Sequence, residues 1–255
     1  MKLATLKINA SGKTAAIKSL VPPFLWKAAY RALVIKDIPD SAAYDPHYSP
    51  WLEPNFAASA ASVSGNTGLK PHSLYTLNHF LSASLWLEGD VMECGVWRGG
   101  SAKLLRDIIL GAGATKRLYL LDSFEGMTSV DADRDRHDRG DFSDTSLERV
   151  RSFVTAEPAP GEEIAVFRKG WIPESFVGLE DLKLCFVHVD LDLYRSILDT
   201  LEFVYPRLAS RGAVVFDDYG FASCPGARKA VDEFLSDKPE EPLVLASGQA
   251  VLIKR

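Results

Sequence analysis

The sequence predicts an α/β fold: a doubly wound, mostly parallel seven-stranded sheet preceded by an N-terminal helical arm. Three observations carry this. From Gly89 onward, short apolar runs with strand character alternate with runs of helical period. The run "LKLCFVHVD" (Leu182–Asp190) looks buried on both faces, as a central strand flanked by helices should be. Last, "PLVLASGQAVLIKR" holds two β runs joined around Ser247-Gly248, a closing hairpin that places an antiparallel strand in the sheet.

The first seventy or so residues read differently. "PPFLWKAAYRALV" suits a helix, with Phe24, Ala28 and Leu33 near one face. "DIPDSAAYDPHYSPWLEPNF" is rich in proline and aromatics and has neither period, so it is expected to be an irregular arm or a lid. A helix follows with Leu74, Leu77, Leu81 and Leu85 on one stripe. The expected division is residues 1–73 as arm and lid, and residues 74–255 as the sheet domain.

Within that domain "DVMECGV" is the first strand, and "SAKLLRDIIL" a helix with Leu104, Leu105, Ile108 and Ile109 on one face. "RLYLLD" is a strand, and "TSLERVRSFV" a helix opened by a Thr145…Glu148 capping box. "EIAVFR" and "LKLCFVHVD" are strands; "RSILDTLEFVYPRL" is a helix facing Ile197, Leu201, Val204 and Leu208 inward. "GAVVFDD" is the fifth strand and "GARKAVDEFL" the helix behind it.

Composition excludes several classes. The chain has 255 residues, 47% hydrophobic and 25% charged, with a net charge of −5, which leaves no basic footprint for nucleic acid. The mixed run "DADRDRHDRGD" (Asp131–Asp141) alternates in sign and reads as a solvated loop. No apolar run approaches the roughly 18–20 residues of a membrane span, and the first twenty residues lack the apolar stretch of a secretory signal. Cys94, Cys185 and Cys224 are odd in number and widely spaced, which fits a reduced cytoplasmic protein rather than a disulfide framework or a structural zinc site.

In such sheets ligands bind beyond the carboxyl ends of the strands. The first strand ends in "ECGVWRGGSA", where Gly95, Gly99 and Gly100 allow a tight turn and Ser101 opens the next helix. A plain strand-to-helix turn reads the same way. "LLDSFEGM" ends the second strand with Asp122 and Ser123, where a carboxylate can accept both hydroxyls of a ribose or simply hold a turn. Glu93 can face the amino group of an amino-acid-bearing nucleotide, and Gly170 with Trp171 can flank an adenine, although Trp171 can equally pack under the sheet edge. Glu93, the glycine turn and Asp122 suit S-adenosylmethionine better than NAD, and no P-loop lysine is present.

"HVDLDLYRS" raises a different question: a buried strand that runs into two carboxylates, Asp190 and Asp192. "VVFDDYG" ends the adjacent fifth strand in two more, Asp217 and Asp218. Buried carboxylates gathered at one edge need a cation to stay ionised. Oxygen-only ligands favour Mg²⁺, Mn²⁺ or Ca²⁺ over zinc. Asp190, Asp217 and Asp218 are the expected ligands. Asp192 is either a base beside the metal or an N-cap, and His188 either donates to the site from behind or is a satisfied core histidine.

"ECGVWRGGSA", "LDSFEGM", "HVDLDLYRSILDTLEFVYPRLASRGAVVFDDYG" and "GARKAVDEF" together resemble the macrocin O-methyltransferase (TylF-type) family, from about Leu74 to Phe234. The resemblance implies a class I methyltransferase fold, often dimeric, with S-adenosylmethionine and a divalent metal such as Mg²⁺ as cofactors and a sugar hydroxyl on a small natural product as acceptor. It places the metal aspartates on Asp190, Asp217 and Asp218 and the general base on Asp192. Some members instead use a histidine soon after the paired aspartates, and "DDYGFAS" has none. Two other readings stay open at this stage. One is a glycosyltransferase holding a metal–diphosphate with its D-x-D; the other is a non-catalytic cofactor-binding module.

Overall fold

A computed structural model of the chain describes residues 48–127, 130, 131, 133–156 and 164–255. The helix expected near Pro22–Val34 lies outside them. Seven strands form one sheet in the order β3-β2-β1-β4-β5-β7-β6. They are β1 (Asp90–Cys94), β2 (Leu118–Asp122), β3 (Ala165–Lys169), β4 (Leu184–Val189), β5 (Leu208–Phe216), β6 (Leu243–Val244) and β7 (Ala250–Ile253). The first five run parallel; β7 lies antiparallel to β5 and β6 antiparallel to β7. The expected closing hairpin is therefore present, with a β6 of only two residues.

Six α-helices are described: α1 (Pro54–Val63), α2 (Pro71–Ser84), α3 (Gly100–Gly111), α4 (Leu147–Val154), α5 (Tyr194–Val204) and α6 (Pro225–Leu235). The two-residue side-chain period of the strands separates the core into two layers. Met92, Cys94, Val187, Val189, Val214 and Phe216 pack with Ile197 and Leu201 of α5 and Ala230 and Val231 of α6. Val91, Leu118, Leu120, Phe186 and Val215 pack with Leu77 and Leu81 of α2 and Leu105 and Ile109 of α3. Phe186 is fully buried, and a side chain of that kind contributes about 1.5–3 kcal/mol by leaving water.

Local differences from expectation have local causes. α1 begins in the last three residues of the stretch expected to be irregular and continues through residues 57–63, to which no element was assigned. It starts with a proline at its first turn and buries only Ala60 and Val63, so its Ala/Ser-rich sequence shows no strong apolar stripe. α4 is capped by Ser146, whose Oγ accepts from Arg149 N at 3.3 Å. Thr145 instead donates its hydroxyl to the Trp97 carbonyl. Leu208 is not on α5. Pro206 lies in a 3-10 turn after the helix, and Leu208 starts β5.

Candidate active site

The carboxyl ends of β1, β2, β4 and β5 border one cavity of about 370 Å³, within the range of small-ligand sites. Nine of the residues singled out by sequence line it: Gly95, Asp122, Ser123, Gly170, Trp171, Asp190, Asp192, Asp217 and Asp218. Parallel neighbours in register bring their ends level, so residues distant in sequence meet at this edge.

The glycine end is built for close approach. Gly95 sits at φ +86, and a Cβ there would lie 1.7 Å from the Asp190 carbonyl oxygen. Only glycine lets the turn after β1 pass so near the turn after β4. Asp122 ties this turn down: its Oδ2 accepts from Val96 N at 2.7 Å and Trp97 N at 2.9 Å, and its Oδ1 from Phe124 N at 2.6 Å. A carboxylate offers about four lone-pair sites; the fourth faces the Ser123 hydroxyl at 3.4 Å, which can donate instead to the Gly126 carbonyl at 2.9 Å and so yield that site to a ligand hydroxyl. Trp171, 36% exposed, stands on the cavity wall rather than under the sheet edge.

Three expected ligand contacts are absent from the cavity. Glu93 is 0% exposed and its Oε1 lies 2.8 Å from Nδ1 of His188, its register partner on β4. The strand period puts Glu93 on the Val91 face, behind the cavity, where its charge still bears on Asp190. Glu93 Oε2 and His188 Nε2 have no hydrogen-bond partner among the described residues. Gly99, at φ +86, makes room for α4, because a Cβ would meet Val150 at 2.9 Å and Val154 at 3.0 Å. Ser101 is buried in the first turn of α3.

At the acidic end, Asp190, Asp192 and Asp218 bring carboxylate oxygens within 4.8 Å of one another. Burial and the charges of Asp217, Asp218 and Asp192 push the Asp190 carboxyl well above the usual carboxylate range. Burial, Asp192 and Asp217 do the same to Asp218. Asp217 is raised by burial but held by Gln249, whose Nε2 donates to its Oδ1 at 2.8 Å. The set grouped closely enough to hold one ion therefore includes Asp192, while Asp217 lines the same cavity from Gln249's side. Gln249, fully buried in the hairpin turn, is a supporting residue that no motif marked.

Asp192 is not an N-cap. It takes φ +58 between Leu191 and Leu193, whose backbone N–H and C=O close at 2.6 Å around it as a γ-turn. This conformation costs roughly 1–3 kcal/mol and persists where neighbours fix it. Asp192 N donates to Asp218 Oδ2 at 2.9 Å, and the Cys224 thiol donates to Asp192 Oδ1 at 3.1 Å. The N-terminus of α5 is capped from elsewhere, by Asp135 Oδ1 accepting from Tyr194 N at 2.9 Å.

Asp135 belongs to the charged run expected to be a solvated loop, and it is 8% exposed. The same run brings His137 to the site. His137 Nε2 lies 3.4 Å from Asp192 Oδ1, and its Nδ1 lies 3.0 Å from Asp141 Oδ2. The bond to Asp192, with that to Asp141, raises the imidazole to about 9. A folded value above the unfolded ~6.5 means that this group's contribution to stability is complete below about pH 6.5 and is lost as pH rises through about 9. Nuclear magnetic resonance of the His137 ring in metal-free protein, assigned with His137→Gln, is expected to titrate near 9 and to move down in Asp192→Asn. A midpoint at or below the ordinary histidine value would contradict the contact.

The rim is apolar. Trp97, Phe142 and Phe221 line the cavity, and the latter two are each 41% exposed. Trp97 and Phe142 meet edge-on with centroids 5.6 Å apart, and Trp97 Nε1 donates to Asp144 Oδ1 at 2.7 Å. The residues fit the two groups that the resemblance implies. Gly95, Asp122 and Ser123 border the cavity at one end, and the acidic set at the other offers oxygen donors only, as Mg²⁺-class ions prefer.

Comparison with known proteins agrees with this architecture. The macrocin O-methyltransferase (TylF) family matches residues 82–255. An 8-demethyl-8-(2,3-dimethoxy-alpha-L-rhamnosyl)-tetracenomycin-C 4'-O-methyltransferase of Streptomyces olivaceus is 36% identical over 57% of this chain and 58% of its own length. A demethyldecarbamoylnovobiocin O-methyltransferase of Streptomyces niveus is 34% identical over the same shares, 57% and 58%. The match thus spans less than three fifths of the length of either relative. The solved structure of the O-methyltransferase NovP superposes with a TM-score of 0.65 at 27% identity, covering 74% of this chain and 82% of NovP. The calicheamicin methyltransferase CalS11 shares the fold at 20% identity, with a TM-score of 0.59 over 82% of this chain and 94% of CalS11.

Proposed function

The chain belongs to the macrocin O-methyltransferase (TylF) family, and from that premise we propose that it methylates a hydroxyl of a sugar-bearing natural product, using S-adenosylmethionine and a divalent cation such as Mg²⁺. The observation that carries this reading is the convergence of Asp190, Asp192 and Asp218 within 4.8 Å on the same cavity that Gly95 and Asp122 border. The names of the two curated relatives, both O-methyltransferases and one of them acting on a rhamnosylated compound, support the acceptor class.

S-adenosylmethionine brings a methyl already activated on a sulfonium, and a cation brings the Lewis acidity that makes an alcohol acidic enough to react near neutral pH. The protein's share is positioning and proton removal. Gly95, Asp122, Ser123, Gly170 and Trp171 would receive the cofactor, with Asp122 accepting from ribose hydroxyls. Asp190 and Asp218 would hold the cation, with Asp217 kept in place by Gln249. Asp192, fixed in its left-handed turn beside them, accepts the hydroxyl proton. Trp97, Phe142 and Phe221 cover the apolar part of the acceptor and exclude water. Of the expected arm and lid, Gly68 and Leu69 line the cavity, and this stretch is proposed to border the acceptor side.

The test is methyl transfer to a panel of glycosylated acceptors by enzyme stripped with EDTA, then resupplied with Mg²⁺. Activity that disappears on stripping and returns with Mg²⁺ is the expected outcome. Full activity in metal-free enzyme would remove the cation from the mechanism.

A further inference from the structure

We propose that His137, Asp192 and Cys224 form a second cation site, selective for thiophilic divalent ions of the zinc class, which shares Asp192 with the oxygen-only site and fastens the β2–α4 loop to the strand ends. The three donor atoms already form a compact triangle. Cys224 Sγ lies 3.1 Å from Asp192 Oδ1 and 3.6 Å from His137 Nε2, and His137 Nε2 lies 3.4 Å from Asp192 Oδ1. One ion bound tetrahedrally at ordinary Zn–S, Zn–N and Zn–O lengths separates its ligand atoms by about 3.3–3.6 Å. Two of the three edges match that spacing, and the Cys224–Asp192 edge must open by a few tenths of an ångström.

The support behind the ligands is also in place. Asp141 Oδ2 lies 3.0 Å from His137 Nδ1, on the ring nitrogen opposite the cluster. A carboxylate in that position fixes the tautomer and ring orientation of a metal-ligating histidine. The donor set of one nitrogen, one sulfur and one oxygen separates this site from its neighbour, because thiolate selects softer ions and carboxylates alone select Mg²⁺ or Ca²⁺. Three protein ligands leave a fourth position open toward the cavity that Cys224, His137 and Asp192 line. Binding displaces the Cys224 thiol proton and any proton on His137 into solvent, so affinity rises with pH.

The consequence is mechanical. His137 arrives from the loop between β2 and α4, Asp192 from the end of β4, and Cys224 from the start of α6. An ion held by all three would fasten the loop to the cavity through coordination, in place of the His137–Asp192 ion pair and the Cys224 thiol contacts of the metal-free protein.

Cobalt(II) reports on this site without any assay of methyl transfer, so the result stands whether or not the proposed activity does. The chain has three cysteines, and Cys94 and Cys185 are 0% exposed within β1 and β4, leaving Cys224 as the thiol at the cavity. Purified full-length protein in excess Mg²⁺ is titrated with Co²⁺ at mildly alkaline pH. The expected spectrum shows tetrahedral visible bands and a sulfur-to-cobalt charge-transfer band, both erased by added Zn²⁺. Cys224→Ser is expected to lose the charge-transfer band, and Asp141→Asn to weaken binding about 10–100-fold. Hydrogen exchange across residues 133–144 is expected to slow with Zn²⁺ but not with Mg²⁺. Co²⁺ binding to the native protein without a charge-transfer band, no binding at all, or a band that survives in Cys224→Ser would each overturn the proposal.

Discussion

Asp190→Asn is expected to cut methyl transfer by about 10³-fold or more while making the metal-free protein more stable. The two effects have opposite sign for one reason. Asp190 is held among Asp192, Asp217 and Asp218 in a buried edge of the sheet, where burial and like charge both disfavour its ionised form. Without a cation that arrangement is a liability, and an amide of the same shape relieves it. With the proposed cation bound it would be the site itself, and losing one carboxylate would remove several kcal/mol of charge stabilisation from the reaction. The melting temperature of the metal-free variant is expected to exceed that of the native protein, by roughly 2–4 °C for each kcal/mol in a chain of this size.

The pH dependence follows from the same direction of shift. A carboxyl whose folded value lies above its unfolded one stabilises the fold fully below about pH 4 and loses that contribution as pH rises through the folded value. The stability gap between variant and native protein should therefore be wide near pH 7.5 and close on acidification to about pH 4. Added Mg²⁺ should narrow it at neutral pH by stabilising only the native protein. A variant that is less stable than the native protein at neutral pH without metal would contradict this picture of the acidic edge.

Gly95→Ala carries the second large effect, and it reaches both ends of the cavity. A Cβ placed 1.7 Å from the Asp190 carbonyl oxygen cannot be absorbed by a rotamer change, because the obstacle is backbone. The substituted residue would also keep a positive φ that side chains other than glycine's disfavour by about 1–2 kcal/mol. Overpacking adds a further 1–3 kcal/mol or so. The expected loss is about 3 kcal/mol of stability, read by urea unfolding, with weakened binding of both S-adenosylhomocysteine and Mg²⁺. Gly111→Ala is the control. It sits at the end of α3 with nothing within 4 Å of the added carbon, and is expected to be neutral or stabilising by up to about 1 kcal/mol. Native stability in Gly95→Ala would mean that the two strand-end turns do not approach as described.

What the sequence disclosed depended on how local the cause was. The strands were legible because most carry a short apolar run, such as Leu184–Val187 in β4 and Ala213–Phe216 in β5. The acids were legible because Asp190, Asp192, Asp217 and Asp218 follow those runs directly. Gly95 was singled out for a tight turn and a ligand's close approach; in the structure the atom nearest its Cβ position is the Asp190 carbonyl oxygen. Glu93 is buried because strand alternation puts it on the Val91 face, where His188 from the next strand meets it. The parity of its position relative to Val91 was the available signal.

Other residues were hidden because their partners are distant. His137 lies in a run whose alternating charges read as solvent-facing, yet Asp135 and His137 from that run reach Tyr194 and Asp192. A histidine with an acid four residues on, next to Phe142, was the faint cue. Gln249 shows no local pattern at all. Its role appears only when the terminal hairpin returns beside β5 and sets the amide against Asp217. α1 was missed because a helix that buries only Ala60 and Val63 leaves almost no hydrophobic period to read.

The most direct measurement is isothermal titration of EDTA-treated protein with S-adenosylhomocysteine, repeated in Mg²⁺ and with Asp190→Asn. Micromolar binding in all three conditions is expected, since under the proposed function the glycine end would receive the cofactor and the acidic end would serve the acceptor. Absence of binding with and without Mg²⁺, in protein shown to be folded, would contradict the assignment of this cavity to methyl transfer.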